Sequence, residues 1–482
     1  MARLATARGL APLRHPRFRL LMAGQLTSNV GDACSAVALA WYVLALHGGA
    51  ALLGTVLAAY GIPRTALLLV GGAASDRWRP WTVMMVTDAA RAFAAAGLAV
   101  AAGLGPARAA VLVPIAAVLG AGEGMFIPAS LTIVPALLPA EELQAGNAMT
   151  EGGIQLATLA GPALGGALVA LAGPAPAFWV DAASFAASAL TLAGVRAAGR
   201  TGAGTGRAGQ ADAVARQPGA AAGQPGSAST PPSPSPSPAP VSSPDREKGL
   251  PASPAAPRTV PQMLRAERIL QVAILVVVAA NLGTGGAMQV ALPVLAHGPL
   301  GSGAAGYGAL VAAFGAGALV GTLVAGQLRQ PRRPFVAASV AFLAAAACFA
   351  LVPLAGSTIL TATALLAFGV VNGFGNLLAI TAFQRWAPPH MLGRLGSVLA
   401  LASIGVFPLS VVLAGFIVRA AGPASFFWFA AITLAIAIGA GLTQRSWRDF
   451  GAVGTAPAGG SPAGAADLAA AGHSGEQQRQ HR

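Results

Sequence analysis

The sequence predicts an all-α membrane protein with twelve transmembrane helices in two pseudo-symmetric six-helix bundles. Of its 482 residues, 55% are hydrophobic and only 9% are charged, and the mean hydropathy is +0.67. A soluble globular protein carries about 25% charged residues, so this chain has too few to cover a surface exposed to water. Two segments also occur twice: VLAAYG at Val56–Gly61 returns as LVAAFG at Leu310–Gly315, and GPAPAFW at Gly173–Trp179 returns as GPASFFW at Gly422–Trp428.

The spacing of the repeats distinguishes two architectures. A soluble repeat protein shows periods of about 20–50 residues and at least three copies. Here two copies lie about 250 residues apart, which is typical of secondary transporters built from two related halves with a site between them.

Twelve apolar runs are long enough to cross about 30 Å of hydrocarbon. In the first half they cover residues 18–46, 50–73, 83–103, 109–134, 143–171 and 176–196. In the second half they cover residues 269–296, 304–328, 334–354, 358–383, 393–420 and 424–444. The tryptophans fall near the ends of these runs, as expected for side chains that favour the membrane interface.

The composition between and after the halves predicts two disordered segments. Residues 197–262 are rich in Pro, Ser, Gly and Ala, and the tail 449–482 is of low complexity. Such sequences bury too little apolar surface to offset the entropy lost on ordering. We therefore divide the chain into an N-terminal bundle at 1–196, a cytoplasmic linker at 197–262, a C-terminal bundle at 263–448 and a cytoplasmic tail at 449–482. A plain tether is favoured for the linker over a docking segment for a partner.

Arginines in the short connections concentrate on one side of the predicted membrane. Because cytoplasmic loops carry an excess of Lys and Arg, this side, both termini and the linker are assigned to the cytoplasm of a plasma membrane. The net charge of +14 then reflects topology and not nucleic-acid binding. The arginines are Arg3, Arg8, Arg14, Arg17 and Arg19 in the N-terminal segment up to the start of the first run, Arg77 and Arg79 after the second run, Arg329, Arg332 and Arg333 after the eighth, and Arg385 and Arg394 around the connection between the tenth and eleventh.

Motifs for other functions are missing from the sequence. There is no Gly-x-x-x-x-Gly-Lys-(Ser/Thr) loop, which excludes ATP-driven transport by this chain alone, and neither His-Glu-x-x-His nor Gly-x-Ser-x-Gly occurs. Cys34 and Cys348 lie in opposite halves and give neither a disulfide framework nor metal-ligand spacing. We expect a transporter that is not an enzyme and that needs no cofactor or metal.

The connection after the second run predicts a gate. Its Gly72, Asp76 and Arg77 match the loop pattern Gly-x-x-x-Asp-(Arg/Lys)-x-Gly-(Arg/Lys)-(Arg/Lys) of the major facilitator superfamily, which this chain resembles. Arg79 stands where the pattern has Gly, and Pro80 with the following Trp replaces the last basic pair. The small residue permits close helix contact, and the resemblance implies an Asp–Arg contact that forms in one state and breaks in the other. The alternative is a short solvated loop.

The fifth run carries a second family pattern. Gly161, Pro162, Gly165 and Gly166 resemble the exporter motif Gly-x-x-x-Gly-Pro-x-x-Gly-Gly, with Ala157 at the leading Gly. Proline breaks the backbone ladder and glycine permits tight packing, so we expect a bent, closely packed helix. The resemblance covers most of the chain outside the linker and tail, and it implies the bacterial branch that exports drugs, macrolides and siderophores. The arginine of proton-coupled drug exporters in the fourth run is missing, with Ala116 near its place.

Ionisable residues fall inside the runs of the first half. They are costly in a membrane and therefore indicate function; they are Asp32, Arg64, Asp88, Arg91, Glu123 and Asp181. Asp88 and Arg91 lie three residues apart near the cytoplasmic end of the third run and predict a structural pair with the gate loop. Asp181 lies near the outer end of its run, where water can reach it.

Asp32 and Glu123 fall near mid-membrane and form the predicted coupling site. A carboxyl group in a medium of low dielectric constant takes up a proton more readily than one in water. We therefore expect these two residues to carry protons. The alternative is that Arg64 pairs with one of them and holds it ionised.

The expected function is export of small amphipathic molecules by alternating access, in exchange for protons, by a monomer in the lipid bilayer. The rivals are a proton-coupled importer of a metabolite and a membrane sensor or scaffold that transports nothing. Polar residues inside the runs predict the substrate cavity, although at such depths they also form hydrogen bonds between helices. The predicted cavity residues are Gln25, Asn29, Arg64, Asn281, Gln289, Asn372 and Asn376.

Overall fold

The computed structural model describes residues 11–46, 49–106, 108–139, 142–215, 267–328, 331–387 and 392–450, and this part of the chain is helical without strands. Its twelve long helices confirm the predicted fold class. They are α1 Pro16–Ala45, α2 Gly49–Arg77, α3 Pro80–Gly103, α4 Ala109–Leu137, α5 Leu143–Ala172, α6 Pro174–Ala215, α7 Arg268–His297, α8 Gly303–Gln327, α9 Pro334–Leu351, α10 Thr358–Trp386, α11 with its two segments Leu392–Gly405 and Phe407–Ala421, and α12 Pro423–Thr443.

Eleven of these helices, α2 to α12, are long and apolar enough to cross a membrane. Helix α1 has 30 residues but carries Gln25, Ser28, Asn29, Asp32 and Ser35. Polar side chains lower the hydropathy of a span, and they are tolerated where they face protein or a water-filled cavity. In the structure α1 packs on α5 and α6.

Three helix boundaries differ from the expected runs. Helix α6 continues to Ala215, past the boundary predicted at 196, and the rest of the predicted linker and the tail lie outside the described residues. Helix α7 contains a π-helical turn at Ala287–Ala291. Helix α11 is interrupted at Val406, where Pro408 near the start of its second segment cannot continue the hydrogen-bond ladder.

The two halves repeat the same packing. In the first half α1 and α3 pack on α6, and α2 packs on α4; in the second half α7 and α9 pack on α12, and α8 packs on α10. Between the halves, α2 packs on α11 and α8 packs on α5. Adding six to each helix number converts one set into the other, which is the pseudo-two-fold relation expected of two related halves.

The repeated GPAPAFW and GPASFFW segments form equivalent turns. Gly173 ends α5 with φ 80°, and Gly422 ends α11 with φ 83°, a backbone conformation that favours glycine. The proline that follows each glycine begins the next helix, where its missing N–H group costs nothing. The repeat in the sequence is therefore a repeated helix–turn–helix corner.

Contacts between the halves concentrate toward one end. We call the end that carries the start of α1 and the end of α12 the termini end, and the opposite one the far end. Toward the far end, a Cβ built on Gly54 of α2 would lie 3.2 Å from the Cα of Gly415 in α11, and a Cβ built on Gly166 of α5 would lie 3.1 Å from the Cα of Gly308 in α8. These two glycine pairs are related by the pseudo-two-fold relation, and they allow the helix backbones to meet.

Candidate functional site

A cavity of about 400 Å³ lies between the halves. Helix α1 contributes Asn29, Asp32 and Ser35 to its wall. Residues three apart share one face of an α-helix, so the polar residues of α1 line the cavity together.

The rest of the wall is mostly apolar. Leu39, Leu57, Leu98, Leu119 and Ile154 come from the first half, and Phe407 comes from α11 of the second. Further polar residues in the wall are Tyr60, Glu123, Thr158, Asp181 and Gln289. An apolar cavity with a few polar groups is the usual form of a small-molecule site.

Asp32 is bound by an arginine of α3. Nη2 of Arg91 lies 2.8 Å from both carboxylate oxygens of Asp32. The side chain of Arg91 is 3% exposed, whereas that of Asp32 is 37% exposed. The guanidinium group of Arg91 also lies 4.0 Å from the ring centroid of Phe185, a cation–π contact. Asp32 therefore presents a paired but accessible carboxyl group to the cavity.

Glu123 is held in a second cluster. Nη2 of Arg64 lies 3.1 Å from Oε1 of Glu123, and the hydroxyl group of Tyr60 donates a hydrogen bond to Oε2. Glycine makes this possible, because a Cβ on Gly120 would overlap the backbone of Tyr60 and one on Gly124 would overlap that of Arg64. The sequence left open that Arg64 pairs with Asp32 or Glu123. In the structure it pairs with Glu123.

The Asp88–Arg91 pair lies deeper than expected. Arg91 is the twelfth residue of the 24-residue helix α3 and so lies near its middle, not near the end that was expected to be cytoplasmic. Asp88 is fully buried. Its Oδ1 lies 3.8 Å from Nη1 of Arg91, whereas the nearest carboxylate oxygens of Asp32 lie 2.8 Å from Nη2 of Arg91. Arg91 therefore joins α3 to α1. The side chains of Gly72, Asp76 and Arg77, the predicted gate loop, lie outside the described residues.

Asp181 was expected near the outer end of its span, where water can reach it, and the expected exposure is wrong. It is 2% exposed and lies in the cavity wall. Helix α6 approaches α1 closely here, because a Cβ on Gly31 would lie 3.0 Å from Oδ1 of Asp181. Each residue advances an α-helix by about 1.5 Å, so the seven steps from Pro174 carry this carboxyl about 10 Å along the helix.

The predicted cavity amides divide into two groups. Asn29 and Gln289 lie in the wall, with Gln289 in the π-helical turn of α7. Asn281 instead donates to the carbonyl oxygen of Val277 at 2.8 Å and accepts from Ser403 at 2.9 Å, a hydrogen bond between helices. The wall formed by the described residues does not include the other predicted cavity residues, which are Gln25, Arg64, Asn372 and Asn376.

The exporter-motif residues lie where α5 meets two helices. Gly161 packs on Ala33 and Gly165 packs on Cys34, both in α1. Gly166 faces Ala304 and Gly308 in α8, and the carbonyl of Pro162 lies against Gly308. The motif therefore joins the cavity helix α1 to the contact between the halves.

Comparison with known proteins identifies the family. The model of the Major Facilitator Superfamily matches residues 21–402. The chain belongs to this superfamily. Three solved structures share its fold at low identity. A POT family transporter in complex with 5-aminolevulinic acid has a TM-score of 0.62 and 13% identity, and the match covers 89% of this chain and 96% of that one. A POT family transporter in complex with a thioalcohol-conjugated peptide has a TM-score of 0.60, 12% identity and coverages of 88% and 95%, and a mutant of the nucleoside transporter NupG has a TM-score of 0.56, 13% identity and coverages of 88% and 98%.

Curated relatives within the superfamily share part of the sequence. The chain is 35% identical over 192 residues to the multidrug efflux pump Tap of Mycobacterium tuberculosis, which is 39% of this chain and 45% of that protein. It is 32% identical over 193 residues to Tap of Mycolicibacterium fortuitum, which is 39% and 46%. The matched region thus spans less than half the length of these relatives.

Tyr60 and Asp181 were not among the candidate site residues. Tyr60 lies four residues before Arg64, so both occupy one face of α2, and this spacing could have suggested a shared partner. Asp181 was counted among the ionisable residues that indicate function, but it was set aside as a group that water can reach. The prediction misjudged how far Asp181 lies from the end of its helix, because this distance depends on the residue at which α6 begins.

Proposed function

We propose that this protein exports small amphipathic compounds, such as drugs, antibiotics or siderophore-like metabolites, in exchange for protons. The observation that carries this proposal is the cavity between the halves, whose wall combines leucines with Asp32 and Glu123. Apolar surface binds the hydrocarbon part of a substrate by the hydrophobic effect. The carboxyl groups supply sites for protons. The partial relatives named multidrug efflux pumps agree with this substrate class.

The direction of transport follows from alternating access between two ends. The glycine contacts hold the halves together toward the far end, and we propose that the cavity opens toward the termini end in this conformation. We propose that the termini end faces the cytoplasm of a bacterial plasma membrane, because short-loop arginines concentrate there. A substrate would then enter from the cytoplasm or inner leaflet, and rocking of the halves as a monomer would release it outside.

Two ion pairs give proton coupling a structural basis. Arg91 holds Asp32 and Arg64 holds Glu123. Protonation of either carboxyl group removes the charge of the pair and weakens its contact. Because Asp32 lies on α1 and Arg91 on α3, proton binding loosens one helix from another within the first half. We propose this as the step that links proton uptake to movement.

Inverted membrane vesicles test the function. An acidic interior should drive accumulation of ethidium into vesicles that contain the protein, and collapse of the pH gradient should release it. Vesicles with the double variant Asp32→Asn, Glu123→Gln, at matched abundance, serve as the control. Proton-driven ethidium uptake into right-side-out vesicles instead would refute export and favour the importer, and absence of transport in both would favour the sensor.

The orientation is tested by labelling introduced cysteines with a membrane-impermeant thiol reagent on intact cells. Labelling is expected at positions 47, 298 and 422 and not at positions 79, 240 and 390. Labelling of position 79 or 240 would reverse the proposed topology.

A further inference from the structure

We propose that Asp181 binds the cationic group of positively charged substrates and thereby selects them. This proposal deepens the proposed function and rests on it. It starts from a difference among the three carboxyl groups in the cavity wall. Asp32 is paired with Arg91 and Glu123 with Arg64, whereas Asp181 has no ion pair with any described residue.

The hydrogen bonds of the three groups differ in the same way. Both oxygens of Asp32 accept from Arg91, and both oxygens of Glu123 have a partner in Arg64 or Tyr60. Oδ1 of Asp181 is buried and has no hydrogen-bond partner among the described residues. Buried polar atoms normally have partners. Both oxygens of Asp88 also lack a hydrogen-bond partner among the described residues, but Asp181 is the one of the two that lies in the cavity wall, where a ligand can supply the partner.

The charge balance of the cavity points to a cation. The two arginines are already committed, since Arg64 binds Glu123 and Arg91 binds Asp32 while lying near Asp88. No described arginine forms an ion pair with Asp181, and an unpaired buried charge is costly. A substrate with one positive charge supplies the missing partner.

The residues around Asp181 indicate which kind of cation fits the site. Gly31 on α1 leaves the space into which Oδ1 projects, and Ser35 lies in the same wall. Leu57, Leu98 and Leu119 in the same wall present apolar surface. The site therefore suits a compact charge attached to, or delocalised over, a bulky apolar body, such as an organic ammonium or phosphonium ion.

Binding of two probes to the purified, full-length protein tests the proposal. Radiolabelled tetraphenylphosphonium is the cationic probe, and triphenylphosphine oxide is a neutral aryl compound of related shape. Asp181→Asn should weaken tetraphenylphosphonium binding at least tenfold and change triphenylphosphine oxide binding less than twofold. Asp181→Glu, which keeps the charge, should restore most of the affinity for the cation. Glu151→Gln, which removes an exposed carboxylate from α5, is the matched control and should bind both probes as the unmodified protein does.

Each other outcome overturns the proposal. Equal binding of the cation by the unmodified protein and Asp181→Asn would show that Asp181 does not hold it. Equal loss of both probes in a variant that elutes as a folded monodisperse species would assign Asp181 to cavity shape. If the unmodified protein binds the neutral probe alone, cation selection is wrong while the proposed function stands; if it binds neither, the proposed function fails as well.

Discussion

The glycine contacts between the halves predict that one added methyl group shifts the protein between its two states. In Gly166→Ala, the new Cβ would lie 2.6 Å from the carbonyl oxygen of Ala304, about 0.8 Å closer than the 3.4 Å at which ordinary contact begins. The other nearest atoms, the Cα atoms of Ala305 and Gly308, lie at 3.2 and 3.1 Å and also belong to the backbone. No flexible side chain can move aside, so α5 and α8 must separate.

The size of the shift follows from the cost of overpacking. Inserting a carbon atom into a well-packed contact costs about 1–3 kcal/mol. This penalty applies to the state in which the far ends touch and is absent where they part. Such an energy changes the ratio of two states about 5- to 150-fold. We therefore expect Gly166→Ala to populate a conformation open at the far end.

Electron–electron distance measurements can detect this opening without any assumption about membrane orientation. Leu104 and Leu354 are 85% and 65% exposed and lie at the far end of opposite halves. Spin labels at these two positions, in a protein whose Cys34 and Cys348 are replaced by alanine, should show a larger long-distance fraction after Gly166→Ala. Gly152→Ala on the same helix is the control, because a Cβ there meets nothing within 4 Å. An unchanged distribution in folded Gly166→Ala, or an equal change in the control, would refute the reasoning.

Three further predictions concern coupling and the linker. Asp32→Asn should abolish proton-driven efflux while substrate binding stays measurable; if it pumps with unchanged pH dependence and Glu123→Gln does not, Glu123 is the carrier. Tyr60→Phe should shift the pH profile of efflux, because it removes the hydroxyl group that donates to Glu123, and an unchanged profile at equal abundance would exclude that role. Deletion of residues 216–257 should leave efflux within about twofold, since a tether need only span the gap between the bundles; loss of efflux at normal abundance would favour a partner-binding linker.

The sequence predicted the elements of the fold because hydropathy and repeats are local or periodic signals. The apolar runs locate the helices, and the duplicated Gly-Pro corner shows that the second half repeats the first. The interruption at Val406 and the π-helical turn in α7 were not predicted. Pro408 is a sequence signal for the interruption that was not used. The π-helical turn depends on how α7 packs in three dimensions, and such packing leaves little trace in composition.

The site was predicted less completely because pairing depends on helix rotation and depth. The sequence shows that Asp88 and Arg91 lie three residues apart, and this spacing suggested a pair within α3. In the structure Arg91 reaches Asp32, 59 residues away, with better geometry. For Asn281, the choice between the cavity and Ser403 is likewise made by the rotation of α7, which spacing along the chain does not determine.

One repeated segment has a polar contact in the first half and an aromatic contact in the second. The repeated AAYG and AAFG segments place Tyr60 beside Glu123 in the first half, but Phe314 beside Phe368 in the second, at 5.3 Å. Phe368 continues through Phe349 to Phe427 by ring contacts of 4.4 and 5.0 Å.

This difference suggests different roles for two sets of residues. Substitutions in the Asp32–Arg91 and Glu123–Arg64 pairs should affect every substrate alike, because in the proposed function all substrates depend on the same proton chemistry. Substitution of Phe407, an aromatic residue of the second half in the cavity wall, should instead change which compounds are carried. Under that proposal, the range of compounds can change through the cavity wall while the two ion pairs are kept.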